Sequence, residues 1–488
     1  MKEKFRELTK DTAIYGISTI ISRFLNFILV PFYTNVFSTS DFGIQNTVYS
    51  YVAFFNIIYL YGMDSAYLKF ASLKEESNPR TIFSTSYLFV LITSIIFSLV
   101  LLLNEKNISF FIDLPARHFV LLNYVIIILL LDSLSVIPFA YLRLIRKASK
   151  FAIIRTANII INIILNLILI LKYKMGIEAV FISNAIASAF SLVVLLPDIF
   201  KNLSLQIKLN ELKDMLKFGI PYLPAGLASM VIQVIDRPIL QKLTNESAVG
   251  IYSANYKLGI FMMLYVSMFQ YAWQPFFLNN AKEKNAREIF AKVLTYFVLV
   301  GAVVLVMISL FIDNLVKIQI FHKSIIQAAY WSGLNIIPIV LLAYLFNGIY
   351  VNLTAGIFIE SKTKYIPYIT GFGALVNVVC NFLLIPVMGI TGAAFATLAS
   401  YLFMAAVLYF VVQRFYRIEY EFNKLLKIFA ALCISALIFY FLAMNHFLYK
   451  IILFIFFISL LFIFKIVNIS EIKNLKFLFT FKRRNFND

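Results

Sequence analysis

Cysteine and histidine are nearly missing from this chain of 488 residues, which has two of the first and three of the second. Cys380 and Cys433 both fall inside apolar runs, so neither a disulfide framework nor a thiolate metal site is implied. His118, His322 and His446 lie far apart, with no acidic partners at ligand spacing, and supply no metalloenzyme motif. Charge is scarce as well: 14% of residues carry it, against 61% that are hydrophobic. Mean hydropathy is +0.87, more apolar surface than a soluble protein of this size could hide. Long polar connections are also missing. The longest outer loop, near Asn104–Ala116, is about a dozen residues, too short for a folded catalytic domain. A phosphate-binding loop is only approached: Gly356 to Thr363 reads GIFIESKT, with Ser361 where the second glycine belongs, and it follows an apolar helix instead of a strand. No ATPase site, cofactor or metal is implied. Energy for any work must come from an ion gradient, the membrane potential or consumption of product.

What the chain has is about fourteen apolar segments, each near the roughly 20 residues that cross about 30 Å of hydrocarbon. They lie roughly at 12–37, 43–71, 82–103, 117–142, 151–171, 177–200, 214–241, 248–279, 288–312, 325–358, 365–386, 389–413, 424–444 and 447–468. The fold class expected is therefore all-α, a polytopic membrane protein. Its net charge of +19 would suggest nucleic acid if clustered on a soluble domain. Instead it alternates between connections. About 32 basic residues fall on one side, about 8 on the other and about 3 inside spans. The positive-inside rule then places both termini in the cytoplasm and predicts membrane lipids, not nucleic acid, as surroundings. The start, MKEKFRELTK, is charged like a signal peptide. The apolar run after it is too long and lacks a small-x-small cleavage site, which predicts an uncleaved first span.

The chain repeats itself after about 210 residues. Asp41-Phe42-Gly43-Ile44 matches Ala248-Val249-Gly250-Ile251. Arg146 to Phe151 matches Glu360 to Tyr365, and Asn162 and Asn166 match Asn377 and Asn381. Met175-Gly176-Ile177-Glu178-Ala179 matches Met388-Gly389-Ile390-Thr391-Gly392. Six spans per repeat is an even number, so both halves enter the membrane in the same direction. The expected organisation is an N-lobe over 1–210, a C-lobe over 211–420, and two further spans with a basic tail over 421–488. Parallel repeats imply a pseudo-twofold axis along the membrane normal, with a cavity between the lobes.

With two bundles of six, Tyr15-Gly16-Ile17, Arg23 and Pro31-Phe32-Tyr33 in the first span, then Ser40-Asp41-Phe42-Gly43, the chain resembles the polysaccharide-export branch of the multidrug/oligosaccharidyl-lipid/polysaccharide flippase superfamily. The resemblance covers essentially the whole chain and is strongest over 1–80 and at the Gly-Ile turns before spans six and twelve. It implies a transporter, not an enzyme. Its members move undecaprenyl-pyrophosphate-linked oligosaccharides from the inner to the outer leaflet of the bacterial cytoplasmic membrane. It also implies that spans one, two, seven and eight line the central cavity.

Charges inside spans cost on the order of 3 kcal/mol by insertion scales and call for a partner, water or a function. Arg23 sits mid-span on a polar stripe with Ser18, Thr19, Ser22 and Asn26. Span seven carries Ser229, Gln233, Asp236, Arg237 and Gln241, and Lys257 enters span eight. A cationic cavity suits a pyrophosphate, so Arg23, Asn26, Gln233, Arg237 and Lys257 are the candidate substrate-binding residues. Mutual neutralisation of Asp236 and Arg237, and outward snorkelling of Lys257, are the structural alternatives. Asp64, Asp132 and Asp236 are candidates for coupling to H+ or Na+, with salt bridging as the alternative. Arg155, Asn158, Asn162 and Asn166 form a stripe read as interhelical glue. Pro31, Pro138, Pro221, Pro224, Pro338 and Pro367 mark bends or tolerated kinks. Tyr271, Trp273 and Gln274 read as an interfacial belt or as sugar-stacking groups.

The function expected is a lipid-linked oligosaccharide flippase working by alternating access, beside a polysaccharide polymerase and the enzymes of O-antigen, capsule or lipopolysaccharide assembly. A cation-coupled multidrug exporter or a lipid II flippase of the same superfamily are alternatives. A membrane glycan polymerase or glycosyltransferase would need an extramembrane catalytic loop that this chain lacks.

Overall fold

The computed structural model describes residues 27–73, 78–204, 206–320, 322–442 and 446–466. The chain runs through α1 (Phe27–Val36), α2 (Thr39–Leu60), α3 (Met63–Leu73), α4 (Pro79–Leu103), α5 (Glu105–Phe111), α6 (Val120–Leu144), α7 (Ala148–Leu167), α8 (Glu178–Asn202), α9 (Leu209–Gly219), α10 (Tyr222–Val234), α11 (Asp236–Leu243) and α12 (Glu246–Leu258). It continues through α13 (Ile260–Asn280), α14 (Ala286–Lys317), α15 (Ile337–Ile359), α16 (Tyr365–Met388), α17 (Ile390–Phe415), α18 (Phe422–Phe441) and α19 (Phe447–Ile463). A two-residue hairpin pairs Gln319–Ile320 with Lys323–Ser324. Ten helical segments among the described residues are long and apolar enough to cross a membrane. The protein is an all-α, multi-pass membrane protein. Helices satisfy their own backbone hydrogen bonds, which hydrocarbon demands.

Three spans expected to be continuous are broken. The segment 43–71 breaks between α2 and α3, where Tyr61 (φ 36°) and Gly62 (φ 76°) take left-handed backbone conformations. A Cβ on Gly62 would lie 2.4 Å from the carbonyl oxygen of Gly219, so this turn needs glycine both for its φ and for the approach of α9. The segment 214–241 divides into α9, α10 and α11, with Pro221, which lacks an N–H, at the first break. The segment 248–279 divides between α12 and α13 at Gly259. Pro138 lies inside an unbroken α6 and is a tolerated kink. Broken helices at membrane depth occur where the freed backbone is buried in protein or lines a cavity.

The chain packs as two compact units. The first contains the described residues up to Ile260, with Gln319–Ile336 and Lys364–Met404. One aromatic and aliphatic core brings Tyr67 of α3, Phe83 of α4, Ile137 and Leu142 of α6, Leu195 of α8 and Met215 of α9 together, all buried. Elsewhere in this unit α2 crosses α12 at backbone distance. A Cβ on Gly43 would sit 1.8 Å from the carbonyl oxygen of Glu246, and one on Gly250 1.9 Å from that of Thr39. The contact is reciprocal: each glycine faces the carbonyl four residues before the other. Within a bilayer, where lipid is as apolar as leucine, such small-residue contacts are what let helices associate closely.

The second unit contains Phe261–Ile318, Ile337–Thr363 and the described residues from Ala405 on. Gly348 of α15 accepts the Phe297 ring of α14, and Gly301 of α14 accepts Leu345. Trp273 departs from both sequence readings. It is 3% exposed, stacks on Phe269, meets the edges of Phe277 and Phe290, and donates to the Asn352 carbonyl at 3.0 Å. It is core, whereas Tyr271 and Gln274 are exposed. Lys450 of α19 is 1% exposed and donates to both Asp313 carboxylate oxygens at 2.7 Å and to Asn314 Oδ1 at 2.8 Å. This pair, buried at its lysine and partly exposed at its aspartate, ties α19 to α14. Losing Asp313 would strand the Lys450 charge in an apolar setting.

Candidate functional site

Seven helices of the first unit enclose a cavity of about 440 Å3, within the roughly 300–1,000 Å3 typical of small-molecule sites. α1 gives Leu29 and Tyr33; α2 gives Gln45, Asn46, Tyr49 and Ser50. α7 contributes Asn158, Ile159 and Asn162, and α8 contributes Val180 and Asn184. Val234 of α10, Arg237 of α11 and Lys257 of α12 complete the wall. The two cations are joined by no carboxylate among these lining residues.

Arg237 is held from behind. Its Nη1 donates to Asp236 Oδ1 and to the Gln233 carbonyl, both at 2.8 Å, and its guanidinium lies 4.8 Å from the Tyr256 ring centre. Asp236 is 1% exposed and also accepts a short hydrogen bond from the Tyr252 hydroxyl. The break between α10 and α11 falls at Ile235, so the Asp236-Arg237 pair sits at a helix start, where the carboxylate faces the positive end of the dipole. The Lys257 ammonium lies 4.9 Å from the Phe42 ring centre, a cation–π contact, and pairs with no carboxylate among the described residues.

Of the residues singled out in the sequence, Arg237 and Lys257 come together on this wall. Asp236 stands behind Arg237 and does not line the cavity. The Gln233 side chain is exposed and bonds its own helix at the Ser229 carbonyl; its backbone, not its amide, serves Arg237. Arg23 and Asn26 lie outside the described residues. Asp132 of α6 accepts from Ser188 Oγ of α8 at 2.7 Å and is not itself one of the lining residues. Asp64 of α3 lies 4.0 Å from Arg143, both partly exposed, a pair worth little in free energy.

The asparagine stripe of α7 has two roles. Asn158 makes the interhelical bonds expected of it, donating to the Ala187 carbonyl at 2.7 Å and to Ser191 Oγ at 2.9 Å. Asn166 donates to Asn162 and accepts from the Tyr33 hydroxyl at 3.0 Å. The matching pair on α16 repeats this arrangement, with Asn381 donating to the Asn377 carbonyl and Oδ1 at 2.9 Å. Yet Asn158 and Asn162 also face the cavity.

Gln45, Asn46, Tyr49 and Asn184 were not singled out from the sequence. They lie on two helices, α2 and α8, with Asn184 135 residues beyond Tyr49 in the chain, and nothing in either segment shows that they converge. His118 likewise finds carboxylates that its sequence spacing does not show. Its Nδ1 lies 3.2 Å from Glu178 Oε1, and the adjacent Arg117 lies 3.3 Å from Asp41.

The polysaccharide biosynthesis protein family matches residues 8–281. No curated protein sequence matches the chain significantly. Among solved structures, the lipid II flippase MurJ in an inward closed conformation is 18% identical, with a TM-score of 0.71, and the match covers 96% of this chain and 100% of that one. An inward-facing multidrug resistance MATE family transporter of the MOP superfamily is 11% identical, with a TM-score of 0.67 over 80% of this chain and 94% of its own. A MATE transporter of Vibrio cholerae, VcmN, is 14% identical, with a TM-score of 0.59 over 84% and 96%. These likenesses establish a shared fold.

Proposed function

The chain belongs to the polysaccharide biosynthesis protein family, and from that premise we propose that it is a flippase for undecaprenyl-pyrophosphate-linked oligosaccharide. It would carry this lipid from the inner to the outer leaflet of the bacterial cytoplasmic membrane for a surface polysaccharide such as an O-antigen or capsule. The observation that carries the reading is the cavity wall: Arg237 and Lys257 line one cavity with no carboxylate among the lining residues. A pyrophosphate brings two or more negative charges, and a fixed guanidinium in a dry site binds them well. A cationic drug would meet repulsion there, which disfavours the multidrug exporter. Arg23, on the first span, belongs to the same proposal.

The lobes 1–210 and 211–420, the two appended spans and a cavity between the lobes are part of this reading. The reciprocal Gly43–Gly250 contact and the twin asparagine pairs on α7 and α16 support an internal pseudo-twofold relation. The broken helices α2–α3, α9–α11 and α12–α13 supply joints about which alternating access could turn.

With both termini cytoplasmic, Lys147 faces inward and Asn107 outward; both are exposed. In a background lacking Cys380 and Cys433, Asn107→Cys should react with an impermeant thiol reagent in intact cells, and Lys147→Cys should not. The opposite pattern would reverse the direction of transport.

Coupling to H+ or Na+ is assigned to Asp132, which accepts from one serine hydroxyl and has Arg155 as a neighbouring charge without a salt bridge to it, whereas Asp236 is bonded directly to Arg237 and Tyr252, and Asp64 lies 4.0 Å from Arg143. Translocation of undecaprenyl-pyrophosphate-linked oligosaccharide in proteoliposomes, with and without a pH gradient, tests function and coupling together. Wild-type protein should accelerate translocation in a gradient-dependent way, and Asp132→Asn should retain a slow, gradient-independent rate. No acceleration by wild-type protein would remove the flippase reading. Unchanged dependence in Asp132→Asn would make that carboxylate structural.

A further inference from the structure

Five carboxamides from three helices line the same cavity as the two cations: Gln45 and Asn46 of α2, Asn158 and Asn162 of α7, and Asn184 of α8. Several use only one end on the protein. Asn158 spends its Nδ2 on α8, and Asn184 spends its Nδ2 on the Tyr49 hydroxyl at 3.1 Å. Asn162 accepts from Asn166 and donates to nothing among the described residues. Gln45 is 4% exposed, and its Oε1 is buried without a hydrogen-bond partner among the described residues. A buried amide oxygen left unpaired costs about 1–3 kcal/mol, so a group that persists in this state implies a donor that arrives from elsewhere. Tyr49 is fixed by stacking on Phe181, with ring centres 4.8 Å apart and planes at 13°.

Among the described residues the wall therefore has unspent acceptors, Gln45 Oε1 and the Oδ1 atoms of Asn158 and Asn184, and an unspent donor, Asn162 Nδ2. A cation would want acceptors only, and an anion donors only. An apolar ligand would leave all of them unpaired. Sugar hydroxyl and acetamido groups both donate and accept at neighbouring positions, and they match a mixed amide surface. The cations share the same cavity, so the sugar within reach of the amides is the one bonded directly to the pyrophosphate. We propose that this amide wall binds the first sugar of the lipid-linked glycan and so selects which oligosaccharide is carried, an inference that rests on the flippase reading above.

Binding by the full-length protein in nanodiscs tests it. The probes are undecaprenyl pyrophosphate without sugar and the same lipid bearing a single N-acetylglucosamine, N-acetylgalactosamine or galactose. At least one sugar-bearing lipid should bind about tenfold more tightly than the bare lipid. Gln45→Met is close to isosteric, removes no hydrogen bond made by Oε1, and should cut that preference by about fivefold without changing affinity for the bare lipid. Asn184→Leu should do the same, and correct folding is checked by that same bare-lipid affinity. If the bare lipid binds but no sugar adds affinity, the amide wall is not a saccharide site while the pyrophosphate reading stands. A preference that survives both substitutions would place sugar recognition elsewhere. Failure of wild-type protein to bind any of the four lipids would remove the flippase reading itself, and this inference with it.

Discussion

Replacing Arg237 by glutamine should abolish surface polysaccharide in cells that depend on this protein, with the variant present in the membrane at wild-type level. Arg237 is 7% exposed, lines the cavity and is held by Asp236 at 2.8 Å. Removing it does two things: it takes a cation from the substrate and leaves a buried carboxylate unpaired. The double substitution Asp236→Asn with Arg237→Gln separates them. It restores neutrality to the pair, so a merely structural role predicts recovery of export, whereas pyrophosphate binding predicts continued loss. Arg237→Lys keeps charge but not the planar fork, and should leave partial export. Lys257→Met preserves length and contact with Phe42 while removing the charge. It should lower export at least about tenfold, the effect of losing one charge-assisted hydrogen bond worth about 1.5–3 kcal/mol. Surface glycan, normalised to protein in the membrane fraction, is the readout. Full export by a well-expressed double variant and by Lys257→Met together would leave the cavity without a role in binding pyrophosphate.

The second large effect is structural. Gly43→Ala should destabilise the protein by about 3 kcal/mol, the upper end of ordinary overpacking, because the clash at 1.8 Å is with backbone and no side chain can swing aside. Gly250→Ala should cost a similar amount, since its Cβ would meet the Thr39 carbonyl at 1.9 Å. The pair should be less than additive, because one separation of α2 from α12 relieves both clashes. Gly371→Ala is the control: nothing lies within 4 Å of the added carbon, and alanine is the better helix former. Thermal unfolding of the purified protein in detergent would show a clearly lower midpoint for the first two and none for the third. Equal midpoints for all three would mean that α2 and α12 do not pack as described.

The span order was legible in the sequence because apolar length is written residue by residue, and bilayer thickness sets the ruler. So were Arg237 and Lys257, since a charge in an apolar run stands out against its neighbours. The break at Tyr61-Gly62 was not. A tyrosine and a glycine inside an apolar run carry no mark of a left-handed turn, and what demands it is the carbonyl of Gly219, more than 150 residues away. Gln45 and Asn184 are hidden for a similar reason: an amide in a span reads as glue until other helices are placed around it. Trp273 was misplaced because an aromatic near a span end looks the same whether it meets lipid headgroups or a ring of phenylalanines. The Gly-Ile matches at Gly43 and Gly250 were legible as a repeat, but not as a contact. The fold places the repeated glycines against each other.

The central claim is that this chain moves a pyrophosphate-linked glycan lipid across the cytoplasmic membrane. The most direct measurement is the leaflet in which that lipid resides when the protein is absent. In cells with the gene deleted and the glycan assembly enzymes intact, lipid-linked oligosaccharide should accumulate on the cytoplasmic leaflet. There it should be protected from an impermeant sugar-oxidising reagent in intact spheroplasts and attacked in inverted vesicles. Restoring the wild-type chain should return it to the outer leaflet, and the Asp236→Asn/Arg237→Gln double variant should not. Lipid-linked oligosaccharide reaching the outer leaflet at an undiminished rate without this protein, and without another transporter of the same fold, would contradict the account.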